Sequence, residues 1–189
     1  MPNQKSKEAL LVMDMQNSTI SHLDEEMILP FQKTVEAARK YLIPVIFVRL
    51  AFSTGYPEIS PQNKLFSMVS ESSRMTVSDM EAGIHESLKP KSNEPIVTKS
   101  RFSAFTGSNL EIILRSQQID TLVLSGVATS GAILSTLREA ADKDYKLKVI
   151  SDACIDPDPE VQRVLMGKIF PKQSDVLTVD SWIAALNKN

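Results

Sequence analysis

The chain has 189 residues, with 21 Lys plus Arg against 23 Asp plus Glu and a formal net charge of −2, so it carries no basic excess of the kind a nucleic-acid surface needs. One cysteine excludes an internal disulfide framework or a Cys-rich zinc site, and six glycines with ten prolines exclude a collagen-like or low-complexity chain. The length suits one domain over 1–189 with an ample core, and no apolar run approaches the roughly 18 residues of a membrane-spanning helix.

The first eight residues (MPNQKSKE) are polar and lack the apolar centre of a secretory signal, which predicts a cytoplasmic protein. Residues 9–14 (ALLVMD) read as a first strand. Phe31, Val35, Ala38 and Leu42 share one face of a helix that precedes a second strand at 44–49 (PVIFVR). From 50 to 74 the rhythm breaks into a Ser-, Pro-, Gly- and Asn-rich stretch carrying Phe52, Tyr56 and Phe66. Such an excursion after a strand suits a wall or lid over a site, or a surface loop with local packing.

A third strand falls at 95–99 (PIVTK), then a helix with Leu110, Ile113, Leu114 and Gln117 on one face and Ser108 as N-cap. The fourth strand is 121–127 (TLVLSGV), followed by a helix bearing Ile133, Leu134, Leu137 and Ala141. A fifth strand at 147–151 (LKVIS), a helix with Val161, Val164, Leu165 and Ile169, and a sixth strand at 175–179 (DVLTV) complete the pattern. Short, nearly continuous apolar runs suit strands covered on both faces. Their alternation with helices predicts a three-layer α/β sandwich with a mostly parallel sheet.

In open α/β sheets ligands bind at the carboxyl ends of strands. The polar groups expected there are Asp14, Gln16 and Asn17 after the first strand, Arg49 after the second, and Lys99 and Arg101 after the third. A partly buried Asp14 beside the Lys99 ammonium suits a proton carrier, and equally a helix cap or structural ion pair. The strand-to-helix turn at 126–131 (GVATSG) offers backbone N–H groups to an anion or a developing oxyanion. It has neither the glycine spacing of a dinucleotide site nor a phosphate loop. Gln16 suits a substrate carbonyl or carboxylate, or a local turn contact. Phe102 and Phe105 suit pocket walls or core, and Arg49 a carboxylate anchor or surface ion pair. Cys154 reads as a buried, inert thiol.

Taken together, three of these segments carry a resemblance. Asp14 within 11–17 (LVMDMQN), Lys99 within 99–105 (KSRFSAF) and the turn 126–129 (GVAT) resemble, in that order, the isochorismatase-like hydrolases, also called the cysteine hydrolase superfamily. The likeness continues through 134–142 (LSTLREAAD) and 151–154 (SDAC), and so covers nearly the whole chain. It implies a six-stranded, mostly parallel, Rossmann-like sheet in a three-layer α/β/α sandwich, and a catalytic trio of Asp, Lys and Cys. Carried over residue by residue, Asp14 is the acid/base and Lys99 the lysine. A non-proline cis peptide at Val127–Ala128 helps to form the oxyanion hole, with Thr129 next in the turn and backbone donors near Ala128 and Ala132. The resemblance further implies a small-molecule substrate, no cofactor, and a homodimer or homotetramer packed through helices.

The family's nucleophilic cysteine falls at position 132, where this sequence has Ala132. A methyl group cannot attack a carbonyl, so thioester chemistry is closed there. Three explanations stay open: a natural thiol-free branch, since isochorismatases of the superfamily can work without that cysteine; an engineered Cys→Ala change; or a catalytically silent relative. The Tyr-Ala-His turn usual in isochorismatases is replaced by Ala128-Thr129-Ser130, which is more like the amidase members. The nicotinamidase branch binds a metal through an Asp and paired His residues after the second strand. Here 49–54 (RLAFST) has no histidine and His22 and His85 stand far apart, so no metal is expected. The resulting expectation is hydrolysis of a vinyl ether or amide C–N bond by Asp14 and Lys99 without a thiol. Its alternative is a small-molecule binder that performs no turnover.

Overall fold

The computed structural model describes residues 7–72 and 74–188; the first six residues of the polar start lie outside them. Six strands, β1 (Glu8–Met13), β2 (Val45–Leu50), β3 (Ile96–Lys99), β4 (Thr121–Val127), β5 (Lys146–Ile155) and β6 (Asp175–Leu177), pair in parallel in the order β3-β2-β1-β4-β5-β6. Among the described residues seven α-helices lie between or after them: α1 (Asn17–Ile20), α2 (Glu25–Lys40), α3 (Lys64–Ser72), α4 (Leu110–Ser116), α5 (Leu134–Asp142), α6 (Pro159–Val164) and α7 (Val179–Leu186).

The apolar runs become strands because alternate residues feed two separate cores. Leu11 and Met13 of β1 and Leu122 and Leu124 of β4 pack with Leu110 and Leu114 of α4 and Leu137 and Ala140 of α5. Leu10, Val12 and Val123 face the other way, onto Phe31, Val35 and Ala38 of α2 and Trp182 of α7. The three-layer sandwich follows from that division. The chain reverses direction across the sheet between β1 and β4, which leaves a crevice outside their carboxyl ends.

Several boundaries differ from those expected. The fifth strand runs on to Ile155, because its pairing with β4 jumps from Leu124–Val149 to Gly126–Cys154 and then resumes. The sixth stops at Leu177, where Thr178 caps α7 and its Oγ1 accepts from Ser181 N at 3.2 Å. Ser108 is not the N-cap of α4. Asn109 occupies that position, although Ser108 Oγ accepts from Leu110 N at 3.1 Å. The excursion after β2 contains α3, absent from the sequence expectation, as is α7 with Val179, Trp182, Ile183 and Leu186 at helical spacing. Among the described residues no helix is long and apolar enough to cross a membrane.

Candidate active site

β1 ends at Met13, and Asp14 turns the chain away from the sheet with φ +54°, a left-handed conformation that Asp tolerates better than most side chains. Its N–H still donates to Val48 O at 2.9 Å, so the residue is fixed to the sheet while the backbone leaves it. Lys99 is the last residue of β3, two strands away. Its side chain is buried, and Nζ donates to Asp14 Oδ2 at 2.8 Å and to Arg101 O at 3.0 Å. Burial raises the Asp14 carboxyl above its ordinary value of 3.8, with the nearby Lys99 ammonium opposing that rise. Oδ1 of Asp14 is buried and has no hydrogen-bond partner among the described residues.

The adjacent strand supplies the turn. Met13 of β1 lies opposite Gly126 of β4. A Cβ on Gly126 would come within 2.1 Å of Met13 O, and its φ of +142° is one that side chains rarely adopt. Glycine is therefore required where β1 and β4 approach before the crevice. The Val127–Ala128 peptide is cis. The chain then enters a wide helical turn, Thr129–Ile133, that leads directly into α5. Ala128 O accepts from Gly131 N at 3.1 Å and from Ile133 N at 3.3 Å. Thr129 Oγ1 is buried without a partner among the described residues, and the Ala132 methyl is buried against the core on the α4/α5 face.

Phe102 stands half-exposed beside this turn: a Cβ on Gly131 would sit 3.4 Å from its ring. Behind it runs a row of aromatic rings from the excursion, with centroids 5.1 Å apart for Phe66–Phe102, 5.9 Å for Phe52–Phe66 and 5.8 Å for Phe52–Tyr56. The Arg101 guanidinium donates to Glu58 O at 2.8 Å and Ser100 O at 2.6 Å and lies over Phe66. The excursion thus forms a packed aromatic wall along the carboxyl end of β3.

Three residues expected at the site, Gln16, Phe105 and Arg49, do other work. Gln16 is fully enclosed: Nε2 donates to Leu50 O at 2.8 Å and Ala82 O at 2.9 Å, and Oε1 accepts from Leu50 N at 2.8 Å. Both amide hydrogens are used, one tying the exit of β1 to the end of β2 and the other tying it to Ala82, and none remains for a substrate. Phe105 is buried against Tyr145, just before β5 begins and so at the opposite end of the sheet, where its apolar surface is better covered. Arg49 donates through Nε to Thr98 Oγ1 at 3.1 Å, its in-register neighbour, and so leaves β2 on the face opposite Lys99. Cys154 is buried, and desolvation pushes its thiol pKa far upward. Among the described residues no cluster of three His, Cys, Asp or Glu side chains is placed to hold a metal. Asp156, which no motif marked, accepts from Ser130 N in the turn at 2.7 Å. The signal that could have found it is the stiff Asp156-Pro157-Asp158-Pro159 run directly after the fifth strand.

Comparison with known proteins agrees with this architecture. The isochorismatase domain model matches residues 8–181. An uncharacterized isochorismatase family protein, YwoC of Bacillus subtilis, is 29% identical over 181 residues, covering 94% of this chain and 93% of its own. The ureidoacrylate amidohydrolase RutB of Yersinia enterocolitica is 30% identical over 207 residues, covering 95% and 90% respectively. The crystal structure of a cysteine hydrolase from Pseudomonas syringae pv. phaseolicola superposes with a TM-score of 0.88 at 24% identity, over 100% of this chain and 96% of that one. The chain belongs to the isochorismatase family and is a hydrolase of that family.

Proposed function

We propose that this hydrolase cleaves an amide C–N bond of a small molecule by acid–base chemistry centred on Asp14, with water rather than a thiol as nucleophile. The observation that carries the proposal is the division of labour within one carboxyl group. Lys99 holds Oδ2, while Oδ1 is buried and has no partner among the described residues. Asp14 Oδ1 takes a proton from water as its oxygen bonds to the carbonyl carbon, and the carbonyl electron pair moves onto oxygen. Backbone N–H groups of the 128–132 turn hold that oxyanion. As the intermediate collapses, the C–N bond breaks and Asp14 returns the proton to the leaving nitrogen, giving a carboxylic acid and an amine. Lys99 keeps Asp14 oriented and balances its charge throughout.

The amidohydrolase relative supports a C–N substrate, and Ala132 supports a route without a covalent thioester. A second reading has its own observation. Burial makes Asp14 hold a proton more tightly than an ordinary Asp, which favours protonation of a vinyl-ether carbon followed by water addition to the resulting cation.

The test is hydrolysis of isochorismate, nicotinamide, N-carbamoylsarcosine and ureidoacrylate by the unaltered chain and by Asp14→Asn. Turnover that falls about 10²- to 10⁴-fold in the variant supports the proposal. Undiminished turnover ends it. If nothing is hydrolysed by the unaltered chain and Ala132→Cys restores activity, the chain is a disabled cysteine hydrolase instead.

A further inference from the structure

The turn that carries Ala128 to Ala132 is a helix start without a cap of its own. Its N-cap residue is Ala128, whose methyl group accepts nothing. The missing acceptor arrives from the residue that follows β5: Asp156 Oδ2 accepts from Ser130 N at 2.7 Å. A carboxylate at the first turn of a helix is favoured by the backbone dipoles as well as by the hydrogen bond.

Asp156 is itself tightly held. The irregular pairing that brings Gly126 opposite Cys154 and Val127 opposite Ile155 sets Asp156 level with Ala128. Its other oxygen, Oδ1, accepts from Asp158 N at 3.2 Å. Pro157 and Pro159 fix φ on either side of Asp158, whose own Oδ1 caps α6 through Glu160 N at 2.8 Å and Val161 N at 3.2 Å. Gln162 Nε2 then reaches back to Cys154 O at 2.8 Å and ties α6 to β5. A stiff segment thus delivers one carboxylate to one N–H of the turn.

The geometry points to Asp156 as a positioning residue that fixes the turn N–H groups for the developing oxyanion without touching substrate. The inference rests on the reading of that turn as the oxyanion site. Asp156→Ala removes the acceptor, whereas Asp156→Asn keeps an oxygen for Ser130 N.

Amide hydrogen exchange followed by mass spectrometry on the full chain reads the effect without a substrate. Exchange in a peptide covering 128–133 is expected to rise about tenfold or more in Asp156→Ala, with β1 and β4 unchanged, and to stay near the original rate in Asp156→Asn. On any compound of the hydrolysis panel that is turned over, kcat is expected to fall about tenfold in Asp156→Ala with KM little changed, and Asp156→Asn to recover most of it. Unchanged exchange in Asp156→Ala, or Asp156→Asn as damaging as Asp156→Ala, overturns the proposal. Should Asp156→Ala not fold, Pro157→Ala loosens the segment and leaves the carboxylate in place. Faster exchange at 128–133 then supports the inference, and an unchanged rate overturns it. If no compound is hydrolysed, the functional reading fails while the exchange result still decides the role of Asp156.

Discussion

Lys99 donates to Asp14 Oδ2 at 2.8 Å although the two residues are 85 positions apart and their strands are not neighbours, since β2 lies between β3 and β1. The long lysine side chain spans the width of the intervening strand, and its charge sits where water has little access.

Removing the ammonium should therefore be costly in a pH-dependent way. Lys99→Met leaves the Asp14 carboxyl with burial alone acting on it, so its pKa rises further above 3.8. A carboxyl whose folded pKa exceeds its unfolded value contributes most to stability below the unfolded pKa. That contribution is lost as pH rises through the window up to the folded pKa. Urea denaturation should show Lys99→Met less stable by about 3–5 kcal/mol at neutral pH, with the deficit shrinking under acid conditions. A deficit that stays constant across pH would contradict this.

The direction of the pH–rate limb distinguishes the two chemistries. As a general base Asp14 acts ionised, so kcat/KM should rise with pH through a limb lying above 3.8. A proton donor would give the opposite slope, with activity falling over the same range. Lys99→Arg, which keeps a cation, should preserve the sign of the slope.

Gly126 of β4 lies opposite Met13 at the end of β1. Gly126→Ala places a Cβ within 2.1 Å of Met13 O at a φ unsuited to a side chain. The clash is with backbone and cannot be relieved by a rotamer change. The loss of stability is expected to be about 3 kcal/mol or more, read as a lowered denaturation midpoint.

Cys154 should be silent towards thiol reagents. It is buried, and its thiol is held protonated well above the ordinary range. Absorbance with an aromatic disulfide reagent at mild alkaline pH should show no reaction in the folded protein and one equivalent after denaturation. Fast labelling of the folded chain would show that the site opens.

The apolar runs of the sequence determined the six strands and their alternation with helices, because burial on both faces of a sheet is a local pattern of side chains. Together with the rule that ligands gather at strand ends, they also marked out Asp14, Lys99 and the 126–131 turn. Partners far apart in the chain were decided only by tertiary structure, because strand order and register set which side chains meet. Gln16 follows a strand and reads as accessible, yet folding surrounds it with backbone groups that use its whole amide. Phe102 and Phe105 are three residues apart and look alike in sequence. One lies against the turn and the other against Tyr145 in the core. Asp156 reaches Ser130 only because β5 slips its register before rejoining β4. Local patterning thus settled the six strands and most of the helices between them, though not α3 or α7; the way the strands pair settled which side chains meet.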